Sequence, residues 1–273
     1  MVPQDYPRVI IEAVEPQIDG GHFPVKRVVG EKLAVSADIY KEGHDKLAAL
    51  LKVRPVGTAT WQESPLQPGD NDRWHGEFTV TSIGRWEYTI EAYAERYLSW
   101  VDEIGKKNVP GAQLTSELLE GLAILKKSAA LAQGEDRSRM QSIIAAMESA
   151  LAAGEQQGAV DLGIGSVMHA MMAKYPDRSE GYQLAPALSV MVNRPITRFA
   201  AWYEFFPRSQ GTVPYRHGTL QDSIRRLPAI KAMGFDVIYL PPIHPIGYAY
   251  RKGKNNSLVA EPGDVGSPWA IGN

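Results

Sequence analysis

The chain has 273 residues, a formal net charge of −2, 44% hydrophobic and 22% charged residues, and a pI of about 6.3, a balance that suits a soluble globular protein with room for two domains. A charge so close to zero provides no field favouring nucleic acid or anionic lipid, and the lack of cysteine excludes disulfides and thiolate-bound metal. No apolar run approaches the roughly 20 residues of a membrane span, and the opening Met1-Val-Pro-Gln-Asp-Tyr-Pro-Arg8 has no apolar segment of a secretory signal, so the expected location is cytoplasmic, with no nucleic-acid or membrane partner.

From Arg8 to Trp100 the pattern predicts β-structure. Leu33, Val35, Ala37 and Ile39 alternate with Ala34, Ser36 and Asp38, which gives a strand with one apolar face. The period of two returns at Phe78 and Val80, then at Trp86, Tyr88, Ile90 and Ala92. Turn formers separate the runs at Asp19-Gly-Gly21, Pro68-Gly-Asp-Asn71 and Ile83-Gly84. Short strands so spaced predict an antiparallel, immunoglobulin-like β-sandwich. Trp74, Trp86 and Tyr88 are read as core or inter-sheet residues, because a domain this small needs its large aromatics inside.

After Pro110 the period changes to that of helices. Leu118, Leu122, Leu125 and Ala129 form one stripe, with Thr115 placed to cap its start. Gly134 ends that helix and Asp136 opens another, whose stripe is Met140, Ile143, Ile144, Met147 and Leu151. A third segment carries Ile164, Val167, Met168, Met171 and Met172 and stops at Pro176. Methionines at 168–172 are read as gap-filling core, and the lone His169 as structural. The stripe at Met140, Ile144, Met147 and Leu151 suits burial within the chain or against a second copy. Leu188-Ser-Val-Met-Val192 then reads as a strand, so the helices are predicted to be an insertion between two strands of the first domain.

The last part of the chain is an apolar run, an amphipathic segment at Ser223–Met233, a second apolar run and a polar loop. That order opens a parallel α/β unit. Chemical motifs are sparse. The six histidines have no metal-ligand spacing, and there is neither a phosphate-binding glycine loop nor a G-x-S-x-G elbow. Glu204 falls inside the first run and Asp236 at the start of the second, away from the strand C-termini where barrel chemistry sits; neither is assigned a catalytic role. The loop after Leu240 leaves such a C-terminus. It carries His244, Tyr248, Tyr250, Arg251, Lys252, Lys254, Asn255 and Asn256, the donors, acceptors and flat rings that sugars need.

Trp202-Tyr-Glu-Phe-Phe-Pro-Arg-Ser209 resembles the first barrel strand of the α-amylase superfamily, and Gly234-Phe-Asp-Val-Ile-Tyr-Leu-Pro-Pro242 its second, with Tyr239 at the usual aromatic position. The continuation His244-Pro-Ile-Gly247, Arg251-Lys-Gly-Lys-Asn-Asn256 and Asp264-Val-Gly-Ser-Pro-Trp-Ala-Ile-Gly272 is similar to the bacterial α-1,4-glucan:maltose-1-phosphate maltosyltransferases, and the resemblance covers the whole chain. It implies residues 1–110 and 184–196 as the N-terminal β-sandwich, 111–183 as the inserted helical bundle, and 197–273 as the start of an incomplete (β/α)8 barrel. It also implies maltosyl transfer from maltose 1-phosphate to α-1,4-glucan with retention, without metal or organic cofactor, in a homodimer built through the N-terminal half.

The superfamily's carboxylate motifs, Asp-x-x-x-Asn-His and Gly-x-Arg-x-Asp, do not occur. No catalytic residue is therefore expected in this chain, which is expected to be inactive alone. Only Lys252 and Asn256 carry over, as residues holding the donor glucose farther from the reacting carbon. Two strands and one helix would leave parallel edges and a helix face uncovered. Two other readings remain open: an assembly module that chiefly makes a dimer, and part of another amylase-type hydrolase or transferase.

Overall fold

The computed structural model describes residues 8–270, and the chain divides into two compact units, Met1–Asn193 and Arg194–Asn273. The first unit opens with eight strands: β1 (Val9–Glu15), β2 (Val25–Val28), β3 (Lys32–Lys41), β4 (Leu47–Pro55), β5 (Gln62–Pro65), β6 (Gln67–Pro68), β7 (Arg73–Thr79) and β8 (Gly84–Ala94). Five helices follow: α1 (Arg96–Lys107), α2 (Thr115–Leu131), α3 (Gly134–Ala152), α4 (Gln156–Ile164) and α5 (Ser166–Lys174). The chain then returns to strand as β9 (Tyr182–Gln183) and β10 (Leu188–Asn193).

One sheet has the order β1-β3-β7-β6, and the other β2-β10-β8-β4-β5 with β9 also paired to β8. After the helices, β10 pairs antiparallel with β8, Leu188 opposite Tyr88, and parallel with β2, Val190 opposite Val25. A single core draws on both sheets: Leu33, Val35, Ala37, Ile39, Trp74 and Phe78 from one, Leu51, Trp86, Tyr88, Ile90 and Val190 from the other. These are the alternate residues of each run, as a half-buried pleat requires. Each large side chain so buried contributes about 1.5–3 kcal/mol. The three aromatic polar tips find carbonyl partners, Trp74 Nε1 on Ile39 at 3.2 Å, Trp86 Nε1 on Ser82 at 3.0 Å and the Tyr88 hydroxyl on Pro16. Burial pushes the Tyr88 phenol up, so it stays a neutral donor.

The helices share a second core of Tyr97, Trp100 and Ile104 from α1, Leu118, Leu122 and Leu125 from α2, Met140, Ile144 and Met147 from α3, and Met168, Met171 and Met172 from α5. The α3 stripe is thus spent inside the chain. Trp100 wedges into this core, its indole N–H donating to Glu117 O at 2.7 Å. Its ring occupies the space that side chains at Gly121 and Gly163 would need.

Four local expectations are corrected. Strand was predicted to Trp100, but β8 ends at Ala94 and α1 starts at Arg96; Tyr97, Trp100 and Ile104 follow a helical period that strand-favouring aromatics mask. Thr115 is the first helical residue of α2 and makes no cap; instead the Gln156 side chain accepts the Leu114 N–H at 2.6 Å. Gly134 begins α3, with Asp136 in its first turn. The third segment is two helices, α4 and α5, parted at the extended Gly165.

The second unit holds β11 (Trp202–Glu204), α6 (Leu220–Ile224), α7 (Leu227–Ala232) and β12 (Val237–Tyr239). Its two strands pair in parallel, Trp202 with Val237 and Glu204 with Tyr239. The amphipathic segment predicted at Ser223–Met233 is broken in two. Pro228 lies in the first turn of α7, where its missing N–H and its ring stop the preceding helix from running on. Thr219 and Asp222 close a capping box on α6. Among the described residues Phe205, Ile230 and Ile246 are this unit's buried large hydrophobics, whereas Phe199 is 79% and Trp202 60% exposed. No described helix is long and apolar enough to cross a membrane.

Candidate functional site

Parallel strands present their carbonyl ends on one side; there β11 leads into a short 3-10 turn, Pro207–Gln210, and β12 into irregular chain. Phe205–Arg208 follows β11, and Leu240–His244 follows β12. These segments line a cleft of about 200 Å³ with Phe206, Arg208, His217, Ile243, His244 and Pro268 on its walls. The two imidazoles are oriented by neighbouring carbonyls, His217 Nδ1 lying 3.2 Å from Gly218 O and His244 Nδ1 2.9 Å from Pro245 O. Phe206 meets Trp269 edge-on, with ring centroids 5.7 Å apart. The cleft therefore combines flat apolar surface with nitrogen donors.

Lys252 and Asn256 lie outside this lining but at and within one turn of the following loop. Gly253 N donates to Ser257 O at 2.9 Å, and Ser257 N to Lys254 O at 3.1 Å, which holds Lys252 just before the turn and Asn256 within it. Asn255 and Asn256 have φ of 52° and 64°, the left-handed region that asparagine tolerates better than other side chains. Among the described residues neither the Lys252 nor the Asn256 side chain spends its donors on the protein, and Asn256 is exposed. Tyr248 is 76% and Tyr250 fully exposed.

The two carboxylates weighed from sequence are not brought together. Asp236 immediately precedes β12, where its Oδ2 accepts the Ala201 N–H at 3.0 Å while its own N–H donates to Ala201 O at 2.9 Å. It clamps the start of the strand pair. Glu204 ends β11 and is exposed. By the register they sit three residue steps apart along the strands, about 10 Å, well beyond the roughly 5–5.5 Å of a retaining carboxylate pair. Among the described residues no group of three His, Asp or Glu side chains could hold a metal ion.

One residue of consequence, quoted above only within a resemblance, has no role read for it from sequence. Asp264 is only 8% exposed and its Oδ2 accepts the Glu261 N–H at 2.8 Å. The Glu261-Pro-Gly-Asp264 spacing is itself a turn pattern that could have flagged it.

Residues 7–194 match the family profile described as "Alpha-1,4-glucan:maltose-1-phosphate maltosyltransferase, domain N/S". The chain is 42% identical over 268 residues to the alpha-1,4-glucan:maltose-1-phosphate maltosyltransferase of Myxococcus xanthus, covering 97% of this chain and 40% of that protein. Against the protein of the same name from Chlorobaculum tepidum it is 41% identical over 266 residues, 97% of this chain and 39% of the relative. Against that from Pseudomonas aeruginosa it is 40% identical over 276 residues, 98% and 40%. The chain thus spans about two fifths of the length of these curated relatives. With the profile covering most of the first unit and the relatives running on through the second, the chain belongs to the alpha-1,4-glucan:maltose-1-phosphate maltosyltransferase family.

Proposed function

We propose that this chain is the N-terminal portion of an enzyme that moves a maltosyl unit from maltose 1-phosphate to the non-reducing end of an α-1,4-glucan. The observation that carries the reading is the similarity to named maltosyltransferases over 97% of the chain, which takes in the parallel strand pair and the polar loop at its carboxyl end. In this reading residues 1–110 and 184–196 form an immunoglobulin-like β-sandwich, 111–183 an inserted helical bundle, and 197–273 the start of a (β/α)8 barrel. The core shared by two sheets and the return of β10 onto β8 support the first assignment; the parallel pairing of β11 and β12 supports the last.

The transfer proceeds with retention. A carboxylate attacks the anomeric carbon as the bond to phosphate breaks, and a carboxylic acid protonates the departing phosphate. The acceptor hydroxyl then displaces the nucleophilic carboxylate from the anomeric carbon, and its proton passes to the other carboxylate, the one that protonated the phosphate. In this proposal those carboxylates belong to the part of the enzyme outside this chain, so the 273 residues alone do not catalyse. Activated phosphate supplies the driving force, and no cofactor takes part. Lys252 and Asn256, whose donors the described residues leave unspent at the turn, hold the donor glucose farther from the reacting carbon.

The complete cytoplasmic enzyme is a homodimer assembled through this N-terminal half. The exposed Leu119 and Leu131 on α2 support that part of the reading, and light scattering that finds only monomer at high concentration would contradict it. The function itself is tested by supplying the complete enzyme with maltose 1-phosphate or with free maltooligosaccharides as donor. Glucan growth in steps of two glucose units with phosphate release only from the first is expected. Equal transfer from the free sugars would replace this reading with that of another amylase-type transferase.

A further inference from the structure

Arg251 makes an unusual set of contacts for a half-buried arginine. Its Nε donates to Gly247 O at 2.9 Å, its Nη2 to Ile246 O at 2.6 Å and its Nη1 to Asp264 O at 3.2 Å. The guanidinium also lies over Tyr248, 4.2 Å from the ring centroid. One planar cation thus gathers three backbone carbonyls from two stretches of chain. That stitches residues 246–248, before the Lys252–Asn256 turn, to Asp264 beyond it. A lysine of the same charge has no rigid fork with which to reach all three.

The surroundings are shaped to this clasp. A side chain on Gly266, whose φ is +75°, would lie 2.9 Å from both Arg251 Cγ and Ile246 Cγ2, so the arginine stem passes where only glycine leaves room. Asp264 carries the restraint onward to the turn. Its carboxylate is bonded to the Glu261 N–H at 2.8 Å and lies 3.9 Å from Lys254 Nζ. A Cβ on Gly253 would approach Asp264 Oδ2 to 3.1 Å and Val259 O to 2.3 Å. The turn backbone therefore packs closely on the carboxylate of a residue whose carbonyl Arg251 binds, while among the described residues the Lys252 and Asn256 side chains make no hydrogen bond to the protein.

We propose that Arg251, acting through Asp264, is the positioning residue that presents Lys252 and Asn256 to the donor sugar. Arg251 does not itself touch the donor. The inference rests on the donor-loop reading above and adds to it the device that fixes the loop before ligand arrives, so that binding is not charged with ordering it.

The test uses the complete maltosyltransferase carrying this chain, with maltose 1-phosphate as the variable substrate. Losing a fork that satisfies three carbonyls is expected to raise KM roughly tenfold in Arg251→Lys, more than it lowers kcat, with the melting temperature held. Gly266→Ala, which crowds the arginine stem, is expected to raise KM in the same direction. It serves as the reading should Arg251→Lys not yield folded protein. Lys252→Ala separates the two levels of the claim. A higher KM in Lys252→Ala alongside wild-type KM in Arg251→Lys, or in Gly266→Ala where that is the folded variant, overturns the positioning role alone. An unchanged KM in Lys252→Ala overturns the donor-loop reading and the positioning role with it. A loss in the Arg251 variant that falls on kcat, or that follows a fall in melting temperature, also overturns the proposal.

Discussion

Replacing Gly121 by alanine should destabilise this protein, although the same change at Gly105 should stabilise it. Both glycines lie within helices, Gly121 in α2 and Gly105 in α1. A new Cβ at Gly105 meets nothing within 4 Å, whereas at Gly121 it would lie 2.3 Å from Trp100 Cε2 and Cζ2. Carbon atoms pack best at about 3.5–4.0 Å, so the indole or α2 must move by more than about 1 Å. The ring has little freedom to do so. Its N–H is held by Glu117 O at 2.7 Å, and its far edge lies where a Gly163 Cβ would come within 2.7 Å.

Overpacking of this kind costs about 1–3 kcal/mol, offset by the ~1 kcal/mol that alanine gains over glycine in a helix. The net loss of up to about 2 kcal/mol corresponds to a fall in melting temperature of up to about 4–8 °C for a unit of this size. Gly105→Ala should instead raise the melting temperature by about 2–4 °C through the ~1 kcal/mol gain in helix propensity. Thermal melts followed by far-ultraviolet circular dichroism read both, and Trp100→Leu combined with Gly121→Ala should recover part of the loss expected from the two changes separately. A Gly121→Ala protein as stable as Gly105→Ala would refute the claim that Trp100 is locked between two glycines.

Further outcomes follow from the same geometry. The Lys174 ammonium, then the Tyr175 hydroxyl, hold the Asp136 carboxyl below its ordinary value of 3.8. A carboxyl depressed in the folded state stabilises it above the unfolded value and ceases to do so as pH falls through the folded one. Asp136→Asn should therefore lower the melting temperature at pH 7, with the gap closing below pH 3.8; a gap that widens in acid would contradict this. In the 273-residue chain, amide exchange should be slow along β3 and β8, where Leu33, Ile39, Tyr88 and Ile90 are fully buried, and much faster from Phe199 to Asn256, where few side chains are. Equal protection in the two regions would show that the second unit has a core of its own.

The first unit was readable because its periods are clean. Leu33, Val35, Ala37 and Ile39 alternate without a break, and burial follows the alternation residue by residue. The α2 and α3 stripes were legible for the same reason. α1 was not, because Tyr97 and Trp100 favour strand locally and commit to helix only against Leu118, Leu122 and Met168, partners far along the chain. At Ser223–Met233 the apolar period carried the expectation past Pro228, whose ring decides the break. In the loop, the chemistry of Lys252 and Asn256 could be read from residue type and family resemblance. The Arg251–Asp264 clasp could not, since its bonds go to backbone carbonyls that no side-chain pattern records.

In the proposed function this chain holds donor-binding residues while the bond-breaking carboxylates lie in the rest of the enzyme. Phosphate release from maltose 1-phosphate in the presence of maltooligosaccharide, measured side by side for the 273-residue chain and the complete protein, tests it directly. Release, with glucan lengthening, is expected from the complete protein and none from the chain. Phosphate release by the chain alone would contradict it.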